Sequence, residues 1–227
     1  MNLLRQKLAA SPAWARVAPF GIFLLLTSAQ GRFFNGSEFW FYLAKTVIGA
    51  GLIWAMRPLV AEMRWAFSWE AVAVGVAVFA VWVGLDAHYP KFVKAGAAWN
   101  PDMAFGGGSG LAWLFILTRI IGSTLVVPPL EEVFYRSFVY RELAALKLAD
   151  PKFESVPLNH FGWLPFLGTA IVFGFSHVEW LAAILCGMAY QFLVLRKNRL
   201  GDAMTAHAIT NFLLGGWIVW RGDWHFW

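Results

Sequence analysis

Two adjacent glutamates, Glu131 and Glu132, lie in one of the most apolar stretches of the sequence, and Arg136 follows them. An ionised side chain at the centre of a membrane helix costs roughly 2.5 to 3.5 kcal/mol, so acids at membrane depth usually serve chemistry or transport. On a helix, Glu132 and Arg136 face each other with the acid first, which favours an ion pair. Glu131 points about 100° away from Glu132 and has no such cation. It is therefore the candidate general base for activating water, and a purely structural ion-pair network is the alternative.

Two histidines and an asparagine occupy similar apolar settings further along the chain. His177 ends an apolar run, and Glu179 follows two residues later. His207 and Asn211 are four residues apart, so they share one face of a helix and can donate hydrogen bonds toward one point. Alone, each is more typical of a membrane interface or of helix packing. Together with Glu131 they predict a hydrolytic site.

These residues form three short motifs in a fixed order along the second half of the chain. The motifs are Glu131-Glu132-xxx-Arg136, Phe173-xxx-His177 and His207-xxx-Asn211. They resemble the motifs of the CPBP intramembrane glutamic proteases, the family that includes the Rce1-type CaaX prenyl endopeptidases. The resemblance covers residues 111–216, with the catalytic motifs within 128–216. It implies an α-helical membrane protein, usually of eight helices, that hydrolyses peptide bonds inside the bilayer without a cofactor or metal.

The resemblance also implies three roles: water activation, oxyanion stabilisation and ordering of the site. Glu131 with His177 would activate the water, and His207 with Asn211 would stabilise the oxyanion. Glu132 with Arg136 would order the site. One position departs from the family pattern, because Ser137 stands where a glycine often follows the motif arginine. The motifs do not reach the N-terminal part of the chain. They therefore imply a peptide or membrane-protein substrate without indicating whether it is prenylated.

The composition indicates a polytopic membrane protein. Of the 227 residues, 59% are hydrophobic and 14% are charged, whereas about a quarter of a soluble domain is charged. The net charge of +5 does not indicate a nucleic-acid partner, because the basic residues lie in short connections and form no basic face. The single cysteine, Cys186, excludes an intrachain disulfide and a multi-cysteine metal site.

The apolar runs predict an all-α helix bundle that forms a single transmembrane domain over residues 1–227. The runs lie at 17–27, 39–56, 67–85, 111–127, 163–175, 180–195 and 203–220. The first is interpreted as a span rather than a cleaved signal. Pro128 and Pro129 are expected to break the fourth run, with a new helix carrying Glu131 to about Lys147. The count is seven crossings if this break bends one helix and eight if it separates two.

The segment between the third and fourth runs, residues 86–110, is polar and rich in glycine and predicts an extramembrane loop. Basic residues favour seven crossings, because that count places the cluster 196–199 on the same side as Arg57 and Arg64. A helix over 111–147 would then be about 55 Å long and would kink, tilt or protrude. The expected location is the plasma (inner) membrane of a prokaryote, with the lipid bilayer as a partner. The oligomeric state is open.

Other functions remain open alternatives. Ser109 in a Gly-Gly-Ser-Gly stretch could belong to a rhomboid-like serine protease with His207 as its base, and two histidines with a glutamate could bind zinc. A non-proteolytic transporter or an inactive scaffold would use the same acids differently. Two intramembrane cations, Lys45 and Arg119, have no role in the predicted mechanism.

Overall fold

The structure is a computed structural model that describes residues 3–92, 99–146 and 152–227. All regular secondary structure in these ranges is helical, with no strand among them, which agrees with the predicted all-α class. The longer helices, in chain order, are α1 (Leu3–Leu8), α2 (Pro12–Ser28), α3 (Ser37–Met56), α4 (Trp69–Leu85), α5 (Pro101–Phe105), α6 (Gly110–Ala145), α7 (Trp163–Phe175), α8 (Trp180–Lys197) and α9 (Gly201–Arg221).

Four helical segments of the described residues are long and apolar enough to cross a membrane: Ser37–Met56, Trp69–His88, Gly110–Ala145 and Trp180–Lys197. Two more, α2 and α7, are apolar but shorter. The protein is therefore an integral membrane protein, as predicted. The number of crossings and the single transmembrane domain stay predictions. Within the predicted 86–110 loop, α5 and a short turn of helix at Asp86–His88 are present, and residues 93–98 lie outside the described ranges.

Of the two expected outcomes at Pro128 and Pro129, the structure shows a distortion within one helix rather than a separation into two, because α6 is continuous over 36 residues. The helix instead widens into π-helical turns at Gly122–Val126, just before the prolines, and again at Val133–Val139. A proline has no amide hydrogen for the carbonyl four residues back, and its ring crowds that carbonyl. A wider turn moves the carbonyl away from the ring and leaves it free for another donor. The described part of this helix ends before Lys147, the predicted end.

The last long helix, α9, packs closely along α4. Gly75 of α4 permits this approach, because a Cβ atom there would lie 2.7 Å from the backbone oxygen of Ala206. The hydroxyl of Thr210 donates a hydrogen bond to the Gly75 carbonyl at 2.9 Å. Small residues at a helix contact let the backbones approach in this way. The contact fixes the position of α9 beside α4, and α9 carries His207 and Asn211.

A buried polar cluster joins α2, α6 and the connection between α3 and α4. Arg16 donates to Glu62 at 2.7 Å, and Arg141 lies 3.5 Å from the same carboxylate. The Ser137 hydroxyl donates to Glu62 and accepts from Arg16. Burial alone would raise the pKa of Glu62, but the Ser137 hydroxyl and the Arg16 guanidinium outweigh it and keep that pKa below its usual range. The serine that departs from the family pattern is therefore part of this cluster.

Candidate active site

A cavity of about 330 Å³ lies inside the helix bundle, and the four predicted catalytic residues line it. We call it the central cavity. Glu131 comes from α6, His177 from the turn after α7, and His207 with Asn211 from α9. Three sequence-distant motifs thus meet around one space, although their chemical roles stay predictions.

Glu131 lies near the middle of α6, two residues after Pro129. Its Oε2 atom is buried, and no atom of the described residues forms a hydrogen bond with it. Buried polar atoms of proteins nearly always have a partner from the protein or from water. This oxygen can therefore accept a hydrogen bond from a water molecule or a substrate in the central cavity.

Glu132 lies on a different face of α6 from Glu131 and contacts two neighbouring side chains. Its Oε2 atom lies 3.2 Å from Nε of Arg136, which is the ion pair expected from the spacing. Its Oε1 atom accepts a hydrogen bond from Nδ1 of His207 at 2.9 Å. The side chains of Glu132 and Arg136 are fully buried, and Arg136 also donates to the Gly187 carbonyl. Because a carboxylate only accepts here, the hydrogen on His207 is at Nδ1, and its Nε2 is the ring nitrogen left for other partners.

His177 is fixed by the end of α7. Its Nδ1 atom lies 2.9 Å from the carbonyl oxygen of Phe173, which can only accept, so Nδ1 carries the hydrogen. The neutral ring then has a free lone pair at Nε2. The rings of Phe173 and Trp82 contact the imidazole at 4.7 and 5.7 Å between centroids. These contacts fix the ring orientation, so His177 can act as an acceptor at Nε2.

Asn211 is oriented by the widened part of α6. Its Nδ2 atom donates to the backbone oxygen of Ser123 at 2.8 Å. In a π-helix, each carbonyl accepts from the backbone N–H five residues later. For Ser123, in the π-helical segment, that residue is Pro128, which has no N–H. The proline therefore frees a carbonyl that the asparagine side chain uses. The second N–H of the amide is available to the central cavity.

Three further residues shape this site, and the sequence analysis did not select them. The Tyr190 ring stacks on His207 at 5.2 Å, and its hydroxyl donates to Thr210 at 2.7 Å. The Tyr135 hydroxyl donates to Ser176, which lies beside His177. Tyr135 is four residues after Glu131, so helical spacing places it on the same face as a predicted catalytic residue. Ser176 directly precedes His177, so its position in the sequence also indicates that it lies near the site. Tyr190 is one of several aromatic residues in an apolar helix, and nothing in the sequence distinguishes it as part of the site.

Two alternative sites have different surroundings. The hydroxyl of Ser109 caps α6 by accepting a hydrogen bond from the backbone N–H of Ala112 at 3.1 Å, and Ser109 does not line the central cavity. No group of three or more His, Cys, Asp or Glu residues in the described ranges is arranged to bind a metal ion. Glu179 lines the central cavity in the turn after His177, and burial raises its pKa.

The chain was compared with known protein families, curated proteins and solved structures. Residues 113–213 match the family model described as type II CAAX prenyl endopeptidase Rce1-like. The matched residues run from α6 to α9 and include every residue of the three motifs. No curated protein and no solved structure matches the chain significantly.

Proposed function

We propose that the chain is an intramembrane endopeptidase, because residues 113–213 match the family model of Rce1-like type II CAAX prenyl endopeptidases, a protease family. Its substrate is a peptide or a membrane protein, and its reaction is hydrolysis by a water molecule that Glu131 and His177 activate. The prokaryotic plasma membrane and seven or eight crossings are part of the proposal. The observation that carries it is the meeting of three distant motifs at the central cavity.

The first step is attack of water on the scissile carbonyl carbon. The water donates one hydrogen bond to the unpartnered Oε2 atom of Glu131 and one to Nε2 of His177. As the water oxygen bonds to the carbon, its proton moves to Glu131. General-base catalysis of this kind typically contributes about 10²- to 10⁴-fold.

The second requirement is stabilisation of the oxyanion that the attack produces. The free N–H of Asn211 can donate to it directly. His207 already uses its Nδ1 hydrogen on Glu132, so it donates from Nε2 only when the ring carries a second proton. Glu132, paired with Arg136, thus holds the orientation of the His207 ring.

The last step is cleavage of the C–N bond. The oxyanion collapses to a carbonyl, the C–N bond breaks, and the amine leaves with the proton that Glu131 took from water. The products are a carboxylic acid and an amine, so one water is consumed and Glu131 returns to its ionised form. No covalent enzyme intermediate and no metal-bound water is needed in this sequence.

The proposal is tested by incubating the purified protein, reconstituted in liposomes, with quenched-fluorescence apolar peptides and identifying products by mass spectrometry. We expect cleavage by wild type and by Ser109→Ala, in the presence of a strong zinc chelator. Loss of cleavage in Ser109→Ala would indicate a serine protease, and loss on chelation with recovery on adding zinc would indicate a metalloprotease. Absence of peptide cleavage together with ion flux that requires Glu131 would indicate a transporter.

A further inference from the structure

Two cations of the central cavity, Lys45 and Arg119, are not used by the proposed reaction. Lys45 lies near the middle of α3, a candidate membrane span, and only 5% of it is exposed. Both residues line the central cavity together with Glu131. No ion pair formed by the described residues includes either cation, although Glu131 shares their cavity. Charges at membrane depth are costly and usually mark a ligand path.

Lys45 is positioned by acceptors and aromatic rings rather than by an acid. Its Nζ atom donates to Oγ1 of Thr27 at 3.0 Å and to Oε1 of Gln30 at 3.3 Å. The rings of Phe23 and Tyr42 lie 4.8 and 4.4 Å from the ammonium. An ammonium has three N–H groups, so one remains after these two bonds.

Arg119 stands in an aromatic cage. Its guanidinium lies 4.7 Å from the Tyr42 ring, 4.6 Å from the Trp99 ring and 5.5 Å from the Trp227 ring. The structure gives its side chain no hydrogen-bond acceptor among the described residues. Tyr42 is shared with Lys45, so one ring contacts both cations.

Other donors nearby are also unpartnered among the described residues. The indole N–H of Trp99, a residue that is 6% exposed, is buried without an acceptor, and so is the side-chain amide nitrogen of Gln30. Trp99 contacts Arg119, and Gln30 contacts Lys45. Donors without acceptors are rare inside proteins, because each unmade hydrogen bond is costly. Two cations and two such donors in one region suit a negatively charged acceptor.

We propose that Lys45 and Arg119 form a subsite for a carboxylate of the substrate. A carboxylate has two acceptor oxygens and one negative charge, and it pairs with a guanidinium in a bidentate manner. The inference rests on the proposed function, because the subsite shares the cavity that contains the predicted catalytic residues. The carboxylate is either the free C-terminus of a peptide or an acidic side chain close to the scissile bond. The subsite would select substrates that carry this charge near the bond to be cut.

Binding tests the subsite without relying on hydrolysis. Three N-acetylated apolar tripeptides serve as probes: one with a free C-terminal carboxylate, its C-terminal amide, and an amide that contains one aspartate. Their affinities are measured in detergent by tryptophan fluorescence, with wild type and with the Glu131→Gln variant, which is expected to be unable to hydrolyse them. We expect the free carboxylate to bind roughly 10- to 100-fold more tightly than the plain amide, the range for hydrogen bonds to a charged group.

The variants show which residues bind the charge. Arg119→Gln and Lys45→Gln should each weaken carboxylate binding much more than amide binding and so remove most of the preference, and Arg119→Lys should retain part of it. Arg57→Gln, an exposed arginine outside the central cavity, is the matched control and should keep the full preference. Tight binding of the aspartate-containing amide would identify an acidic side chain as the source, and weak binding would identify the C-terminus.

Equal affinity of wild type for all three probes would overturn the subsite, whether or not the protein is a protease. The subsite would also be wrong if Arg119→Gln weakened carboxylate and amide equally, because the cations would then act on Glu131 or on the fold. Failure of peptide hydrolysis with the carboxylate preference intact would count against the proposed function alone. The two proposals are therefore separable.

Discussion

At the scale of single residues, each predicted oxyanion donor has one N–H group fixed by the protein, and a second ring nitrogen or N–H group is left for other partners. Nδ1 of His207 binds Glu132, and Nδ2 of Asn211 binds the Ser123 carbonyl. A side chain fixed in this way loses little freedom when it binds a developing charge, which is the condition for electrostatic stabilisation of a transition state. His177 is fixed in the same manner through Nδ1.

Replacing Asn211 tests the oxyanion role. Asn211→Ala removes one donor, and we expect kcat to fall about 10²- to 10³-fold with a small change in KM. Asn159→Ala, a substitution of an exposed asparagine outside the central cavity, should leave both constants unchanged. Equal loss of kcat in the two variants, or a loss confined to KM, would contradict the role assigned to Asn211.

Several residue-level features followed from the sequence, and others did not. The ion pair of Glu132 with Arg136 follows from a four-residue helical spacing, which is local. The contact of Glu132 with His207 spans 75 positions, so it depends on how the helices pack. The role of Ser137 could not be read from the sequence for the same reason, because its partner Glu62 lies in the connection between α3 and α4.

At the scale of helices, the proline pair of α6 widens the helix without ending it. The sequence predicts an interruption here, because a proline removes a donor and crowds the turn before it, but it leaves open whether one helix bends or two helices form. The outcome depends on whether another group can bind the freed carbonyl, and here Asn211 of α9 does so. This hydrogen bond joins two helices that are distant in sequence. Rules about proline in a single helix therefore cannot predict it. The all-helical class was accessible, because composition and apolar runs determine it.

The contact between α4 and α9 gives a prediction for this scale. Gly75→Ala would place a Cβ atom 2.7 Å from the Ala206 carbonyl oxygen, so the two helices must separate. We expect a loss of roughly 1 to 3 kcal/mol in the free energy of unfolding, as for other overpacked contacts. Catalytic activity should fall as well, because α9 carries His207 and Asn211.

Gly84→Ala on the same helix is the matched control. A Cβ atom at Gly84 meets nothing within 4 Å. Alanine is favoured over glycine in a helix by about 1 kcal/mol, so this variant should be as stable as wild type or slightly more stable. Unfolding of both variants in detergent is followed by circular dichroism. If Gly75→Ala matched Gly84→Ala in stability and activity, the close approach of the two helices would be wrong.

At the scale of the whole molecule, polar clusters of the described residues join helices that are distant in sequence. One surrounds the central cavity, and another links Glu62 to Arg16, Ser137 and Arg141. The second cluster ties α2 to α6, the helix that carries Glu131. Acid pH should weaken this link, because the cluster depends on an ionised Glu62.

The pH dependence of stability follows from Glu62. The pKa of Glu62 is lowered in the folded protein from its ordinary value of 4.5. The contribution of Glu62 to the free energy of unfolding is therefore complete above pH 4.5 and is lost as the pH falls through the folded pKa. We expect the midpoint of thermal unfolding in detergent to fall more steeply with decreasing pH below 4.5 in wild type than in Glu62→Gln. At neutral pH, Glu62→Gln should be less stable by about 2 kcal/mol.

Glu38→Gln is the control for this effect, since the structure gives Glu38 no ion pair among the described residues. It should keep both the stability and the pH slope of wild type. Parallel pH profiles for wild type and Glu62→Gln would show that the cluster contributes nothing to acid sensitivity.

The most direct test of the account is kcat for peptide hydrolysis by Glu131→Gln, compared with wild type and with Glu142→Gln on the same helix. Glutamine keeps the shape of the side chain but cannot take the proton of the attacking water. We predict that Glu131→Gln loses about 10²- to 10⁴-fold in kcat, and that Glu142→Gln, which does not line the central cavity, retains wild-type kcat. A folded Glu131→Gln variant that hydrolyses the peptide at the wild-type rate would contradict the account.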